Sequence, residues 1–342
     1  MDKIRFGIVG CGVIAPHHAR GIDSTPEAEL VAVCDVIEER AAKLSGDFGG
    51  PAVYTDYKKM LAEGGVDAIC VCVPSGLHGQ VTIDAAKAGK HVMCEKPVEI
   101  KLDKIDAMIA ACREANVKLG VIFQRRTSPM WHKVKKVVAE GKLGKMVLGD
   151  AYLKYFRSQE YYDSGDWRGT WELDGGGALM NQGVHMIDIQ RWIMGPVKTI
   201  YAKADHLVRD IEVEDTCCAV MEFASGAFGV LQGTTSVVKM DHRLELHGDV
   251  GTIVVEGEKI TKWEVPGDES GGEPDETVVI GSAASDPKAI SSGGHGIQIN
   301  DLCHSIMHDH EPMIPGEEAR KAVEVILGIY ESARTGKPIS MG

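Results

Sequence analysis

The chain has 342 residues, 44% of them apolar and 25% charged, which are the proportions of a soluble globular protein long enough for two domains. Its formal net charge of −13 excludes a nucleic-acid or anionic-membrane partner recruited by bulk charge, but not phosphates held by backbone groups. No apolar run approaches the ~18 residues of a membrane span. The first strand is entered at Lys3, which leaves no room for a signal peptide. Nine cysteines, an odd count lying mostly in apolar runs, read as buried thiols of a reducing compartment, so a cytoplasmic location is expected.

Ile4 to Val9 reads as a strand buried on both faces, and Gly10-Cys11-Gly12-Val13-Ile14-Ala15 follows at once. This is G-x-G-x-x-A between a strand and a helix. Gly10 permits the tight turn, Gly12 lets backbone approach a pyrophosphate, and Ala15 lets the helix pack close. The helix, running to about Ile22, aims its free N–H groups and positive dipole end at the phosphates. A second strand, Glu29 to Cys34, ends in Asp35, about 20 residues beyond the motif, where a carboxylate accepts hydrogen bonds from the adenosine ribose hydroxyls. A 2′-phosphate would be repelled there, so NAD is expected over NADP.

The alternation continues with a helix over Tyr57–Glu63, a strand over Asp67–Val73 and a turn at Pro74-Ser75-Gly76-Leu77-His78. The next helix ends at Gly89. His91–Cys94 is a short buried strand, with Glu95-Lys96-Pro97 at its carboxyl end. In an open parallel sheet ligands bind outside the carboxyl ends of the strands, so Lys96 points at whatever the sheet binds. Pro97 fixes its own φ and biases Lys96 towards extended backbone. Asp103 is expected to cap a helix to about Asn116, and Val117–Phe123 to close a doubly wound parallel sheet.

Ser128-Pro129 opens a helix that Gly141 stops. Lys145 to Arg157 alternates as a strand, and a polar, aromatic loop from Ser158 to Asp174 carries Tyr161, Tyr162, Trp167, Arg168 and Trp171. Gly175-Gly176-Gly177 leads into a helix from about Ala178 to Met194. On it Asn181, His185 and Asp188 share one face at i, i+4 and i+7. From Thr199 to Val265 strand follows strand as an open antiparallel sheet, with Val230, Val237 and Val238 on a face that could support a subunit interface. Pro266 to Gly296 reads as a mobile surface loop, a possible lid, with a short strand near Thr277–Ile280. His295 ends that loop and a helix follows over Ile297–Met307. His304 and His308, at i and i+4, read as a solvated face, and no metal is expected. The last helix, about 317–335, is expected to pack back on the first domain. The domains are thus 1–123, Rossmann, and 124–342, an α+β domain with a large open, mostly antiparallel sheet.

The glycine motif at Gly10–Ala15, Glu95-Lys96-Pro97, Gln124-Arg125-Arg126 and the run from Gly175 through His185 to Asp188 together resemble the glucose–fructose oxidoreductase/inositol dehydrogenase (Gfo/Idh/MocA) family over essentially the whole chain. The resemblance implies an NAD-dependent enzyme acting on a secondary alcohol of a sugar, glycoside, nucleotide sugar or polyol. It also implies a homodimer or homotetramer formed through the C-terminal sheet. Catalytic roles fall on Lys96 and His185, with Asn181 completing the set and Asp188 behind His185. Cofactor contacts are expected from Gly10, Gly12, Val13, Ile14, Asp35, Pro74, Ser75, His78, Glu95, Lys96, Gln124, Arg125, Trp167 and Arg168. Substrate contacts are expected from Lys96, Arg126, Tyr162, Trp167, Asn181, His185 and His295. Many members have aspartate where this chain has Asn181, inositol dehydrogenases among them. Asparagine there is similar to a nucleotide-sugar branch and to several glycoside 3-dehydrogenases.

Moving a hydride from a carbinol requires that its hydroxyl proton leave too, so a base is needed within hydrogen-bond reach. Histidine has a suitable pKa without help, whereas a lysine must fall about three units, roughly 4 kcal/mol. His185 is therefore read as the proton acceptor and Lys96 as the group that orients the hydroxyl and stabilises its developing charge. Asp188 would hold the His185 tautomer. Two other activities use the same residues or fold: a redox-assisted glycosidase that returns NAD unchanged, and a non-catalytic NAD-binding regulatory protein.

Overall fold

The structure, a computed structural model, describes residues 3–238, 240–272 and 293–342. Its contacts divide the described chain into two units. One takes residues up to Gln124 together with Gly293–Arg320; the other takes Arg125–Gly272 together with Lys321–Gly342.

In the first unit the order is β1 (Ile4–Val9), α1 (Ala15–Asp23), β2 (Ala28–Cys34), α2 (Glu38–Asp47), β3 (Ala52–Tyr54), α3 (Tyr57–Glu63), β4 (Ala68–Val71), α4 (His78–Lys87), β5 (His91–Cys94), α5 (Leu102–Glu114) and β6 (Leu119–Val121). The six strands pair in the order β3-β2-β1-β4-β5-β6, all parallel. This is the doubly wound sheet expected from the alternating apolar runs, since strands buried on both faces need helices on both faces. β4 and β6 are shorter than the apolar runs Asp67–Val73 and Val117–Phe123 suggest, since an apolar residue just outside a strand is buried too. Asp103, expected as the α5 cap, is the second helical residue, and Lys101 occupies the cap. Its charge still favours the helix dipole from the first turn.

The second unit adds α6 (Pro129–Ala139), β7 (Met146–Lys154), α7 (Gln159–Asp163), α8 (Val184–Met194) and strands β8 (Val197–Asp205), β9 (Thr216–Phe223), β10 (Phe228–Thr234), β11 (Arg243–Gly248), β12 (Thr252–Glu256) and β13 (Lys259–Glu264). The chain enters α8 through a π-helical turn, Ala178–Gly183, rather than in one continuous α-helix. After it come α9 (Gly293–His308), which belongs to the first unit, α10 (Gly316–Thr335) and β14 (Ile339–Ser340).

The second sheet has the order β13-β12-β11-β7-β10-β9-β8-β14. It is antiparallel except where β10 runs parallel to β7. This is the mostly antiparallel sheet expected, and its one parallel pair arises because β7, before the α8 segment, joins the same sheet. Parallel neighbours need a long crossover, and α8 lies within it. Helix–sheet packing there depends on missing side chains. A Cβ on Gly233 would lie 2.3 Å from Leu179 Cδ2, and one on Gly149 2.6 Å from Met194 Sδ. On the opposite face Tyr201, Val220 and Phe228 are exposed.

The last helix, expected against the first domain, divides between the units at Arg320/Lys321. Its first turns hold Arg113 through Glu317 and Asp106 through Arg320. Further on Tyr330 donates to Glu214, and the Ser332 hydroxyl accepts from Ala202 N–H. Most of the expected 266–296 loop, including the strand near Thr277–Ile280, lies outside the described residues. All nine cysteines are free, and all but Cys218 are buried. No described helix is long and apolar enough to cross a membrane.

Candidate functional site

The carboxyl edge of the first sheet carries the nucleotide loop. Gly10 has φ +93°, and a Cβ there would lie 2.6 Å from the Cys72 carbonyl carbon, so only glycine makes the turn. A Cβ on Gly12 would meet nothing within 4 Å, and Val13 is 60% exposed. The loop thus leaves open space over a bare backbone. No side chain caps the start of α1; Ala15 N–H and His17 N–H donate to the carbonyls of Gly12 and Ile14 and Pro16 has none, so it is the positive end of the helix dipole, next to the glycine loop, that favours an anion there. Asp35 closes the far side. Its Oδ2 accepts from Cys11 N–H at 2.8 Å and its Oδ1 from Ile37 N–H at 2.9 Å. A carboxylate has capacity beyond two acceptances, so these bonds fix the acid beside the loop without using it up. The residues present fit a dinucleotide.

His78 departs from its expected role as a cofactor contact. It is buried, with Nδ1 2.9 Å from the Pro97 carbonyl and Nε2 2.9 Å from the Val73 carbonyl. It braces the Lys96 turn from within. Ser75 is buried beside it, and Gly79 N–H donates to the fully buried Glu99. The Lys96–Pro97 peptide is cis. Between Val92 and Ile100 every residue is buried except Lys96, which stays half-exposed.

Glu95 and His295, expected to face cofactor and substrate, are turned inward. Glu95 Oε1 lies 2.8 Å from His18 Nε2 and 3.2 Å from His295 Nε2, and Oε2 accepts from Lys96 N–H at 3.0 Å. His18 and His295 are fully buried. Instead of ending a loop, His295 sits in the first turn of α9. Burial pushes the Glu95 carboxyl up, but hydrogen bonds from the two imidazoles outweigh it and hold it well below the usual carboxylate range. Burial lowers His18, and lowers its neighbour His17 to about 4. Sequence reasoning missed His18. The signal available was a pair of adjacent histidines on the helix that follows the glycine loop.

In the second unit the residues expected along one helix face differ in burial, Asn181 and His185 staying partly exposed. Asp188 is fully buried, and both its oxygens are taken by the Arg126 guanidinium, Nε at 2.6 Å and Nη2 in a shorter contact. Arg126, expected to meet substrate, is itself buried, with its guanidinium 4.8 Å from the Trp192 ring centroid. The pair is a bidentate core ion pair. The π-helical turn shifts the phase of the helix between Asn181 and Asp188. From Asp174 to Arg191 only Asn181 and His185 keep partial exposure.

Asn181 Nδ2 donates to the buried Asp174 at 2.7 Å, and its Oδ1 accepts from Gln182. Gln182 Nε2 also reaches the Tyr161 hydroxyl at 3.2 Å, which accepts from Arg168 at 2.6 Å. The Arg168 guanidinium sits 4.3 Å from the Tyr161 ring and 4.5 Å from the Trp167 ring. Tyr162 is core: its hydroxyl bonds Thr235 at 2.8 Å, so it presents no polar group to a substrate. Arg125, expected at the cofactor, is buried against His242 at 2.7 Å and Glu258. Burial first, then the Arg125 charge, pushes His242 well below its usual range, so its ring accepts from the guanidinium.

The glycines before the turn are dictated by space. A Cβ on Gly177 would lie 1.9 Å from the Glu214 carbonyl oxygen, and one on Gly176 2.1 Å from the Tyr330 hydroxyl. Glu214 is buried and accepts from Gly177 N–H, Leu179 N–H and Tyr330 OH, each at 2.9 Å. Burial dominates these neutral donors and raises its carboxyl to about 7.

Comparison with known proteins gives a consistent result. Residues 4–123 match the model of the Gfo/Idh/MocA oxidoreductase family's NAD-binding Rossmann fold, and 131–254 match the family's C-terminal domain. The chain is 32% identical to the uncharacterized oxidoreductase YrbE of Bacillus subtilis, covering 77% of this chain and 76% of that one. It is also 32% identical to the myo-inositol 2-dehydrogenase of Thermotoga maritima, covering 75% and 77%. The crystal structure of the WlbA dehydrogenase from Bordetella pertussis, in complex with NADH and UDP-GlcNAcA, superposes with a TM-score of 0.88. Its sequence identity is 34%, and the match covers 99% of both chains.

Proposed function

Because this chain belongs to the Gfo/Idh/MocA oxidoreductases, NAD-binding enzymes of CH–OH groups, we propose that its substrate is a nucleotide sugar, oxidised at a secondary ring hydroxyl. The observation that carries the assignment of residues is exposure. Lys96 is the one half-open residue in the buried run Val92–Ile100, and Asn181 and His185 are the two in Asp174–Arg191. A polar side chain kept partly exposed within a buried run is a candidate to meet a ligand. The substrate class is supported by Asn181 in place of an acid and by the full-length likeness to the WlbA dehydrogenase.

Gly10, Gly12, Val13, Ile14 and Asp35 would hold the dinucleotide, with the acid disfavouring a 2′-phosphate. When bound, the nicotinamide takes up the hydride. His185 accepts the hydroxyl proton, imidazole being the side chain most often used as a general base. Lys96 supplies hydrogen bonds that stabilise negative charge as it develops on the substrate. Asn181 cannot titrate; it orients a sugar hydroxyl, and its own amide is fixed by Asp174. The exposed Tyr201, Val220 and Phe228 on one sheet face support assembly into a homodimer or homotetramer, testable by light scattering of wild type and Val220→Asp.

The decisive experiment follows NADH formation across UDP-sugars, their uronates, free hexoses, glycosides and inositols. A UDP-sugar is expected to lead the series. A turnover confined to inositols would remove the substrate assignment, and glycoside cleavage without net NADH would show the redox-assisted alternative. Lys96→Ala should lose about 10²–10⁴-fold in turnover while binding NAD as before. His185→Asn should lose the limb of the kcat–pH profile that reports the base.

A further inference from the structure

The Lys96 turn is held by a buried arrangement that reaches well beyond the reacting groups. Three elements converge on Glu95: α1 brings His18, α9 brings His295, and the chain itself brings Lys96 N–H. The two imidazoles share the same oxygen, Oε1, and leave Oε2 to the backbone of Lys96. The rings also pack on one another, with His18 and His295 centroids 5.0 Å apart and edge-on, and His17 5.8 Å from His295. The packing of α1 on α9 is set by glycine. A Cβ on Gly21 would lie 2.7 Å from Ile299 Cδ1 and 3.1 Å from Gly296 N.

We infer that His18 and His295 are positioning residues for Lys96: acting through Glu95, they fix the backbone from which the lysine side chain reaches the substrate oxygen. The inference rests on the role given to Lys96 above. Its physical basis is the cost of error, since misplacing a reacting group by about 1 Å forfeits roughly 10²-fold in rate. A buried carboxylate with one donor removed must find another or move. Because His18 lies on the helix that follows the glycine loop, the same bond ties the nucleotide loop to the lysine turn.

The three side-chain atoms lie within 4.8 Å of one another, close enough for a metal ion to be considered. Two observations favour the hydrogen-bonded arrangement. The separations of 2.8 and 3.2 Å from Glu95 are those of N–H···O bonds. In addition, Nδ1 of both His18 and His295 is buried without an acceptor among the described residues. A metal on Nε2 would place a hydrogen on each Nδ1 and strand it, whereas metal-bound histidines pass that hydrogen to a partner. With the hydrogens on Nε2, both are used on Glu95.

The test compares His18→Leu with His18→Gln, whose amide nitrogen reaches about as far as Nε2. His18→Leu is expected to lower kcat about 10²-fold with the NAD Kd changed less than about threefold, and His18→Gln to recover most of that loss. In a Glu95→Gln background, His18→Leu should cost less than about twofold, since a residue acting only through Glu95 has nothing left to act on. Wild-type turnover in His18→Leu, or losses that multiply on Glu95→Gln, would overturn the inference. So would stoichiometric zinc in the purified enzyme that disappears with His18→Leu. If His18→Leu does not fold, the His295→Leu and His295→Gln pair carries the same comparison. Labelling of Lys96 with an amine-reactive ester, read by mass spectrometry, needs no substrate. It should rise several-fold in His18→Leu even if the nucleotide-sugar reading fails, and an unchanged rate would refute the positioning role independently.

Discussion

Three buried carboxylates lie close to the residues assigned to chemistry, and each is held by a different kind of donor. Asp188 is forked by the Arg126 guanidinium. Glu95 is held by two imidazoles and a backbone N–H. Glu214 has only two backbone N–H groups and a phenol. The difference shows in charge. Glu95 is held well below the ordinary carboxylate range, while Glu214 is raised to about 7. Burial penalises every carboxylate, and the strength of the donors decides whether the anion survives it. An arginine cannot be deprotonated, so Asp188 is held by a permanent cation, which the other two lack.

The largest expected effect breaks the pair with a full cation. Arg126→Leu strands a buried charge on Asp188 and should cost about 3–5 kcal/mol in urea unfolding. Glu95→Gln removes an anion whose partners are not fixed cations and should cost less, about 1–3 kcal/mol. Equal losses would end the distinction between the two sites. Glu214 gives the next effect, through pH. Its folded value lies above its unfolded one, so it contributes stability that is complete below about 4.5 and is lost as pH rises towards 7. A rise from 4.5 to about 7 corresponds to about 3 kcal/mol. Thermal unfolding of wild type should therefore weaken between pH 5 and 8 more steeply than that of Glu214→Gln; parallel curves would show that burial is not raising this carboxyl. The smallest effect concerns Asp35, which accepts from the backbone of two loops, at Cys11 and Ile37. Asp35→Ser should shift the preference from NAD towards NADP by about tenfold, roughly 1.4 kcal/mol, in paired KM measurements.

The first unit was largely legible in the sequence. Continuous apolar runs, a glycine loop and an acid at the next strand end specify a parallel sheet, because each feature answers a local requirement. Glycine at position 10 is needed for a positive φ, and apolar side chains on both strand faces need helices above and below. The short elements Glu38–Asp47 and Ala52–Tyr54 carry too little pattern to be read from periodicity. In the second half the strands could be read, but the parallel β7·β10 pair could not. Alternation tells which face a residue takes, and nothing in it encodes the direction of a neighbour.

The site divides in the same way. Residue type and position within an element single out Lys96, Asn181 and His185 as candidates, since a polar side chain in an apolar run needs a reason. Their partners depended on distance through space. Asp188 lies three residues from His185 in sequence, yet folding turns it to Arg126, 62 positions away. Glu95 meets a histidine 200 positions on. By itself the sequence determined the backbone dihedrals, the strand faces and the chemical types available, which are properties of a residue and its near neighbours. Only the tertiary structure decided which buried charge rests on which donor, because the electrostatic balance of burial against pairing is struck between groups that the chain brings together last.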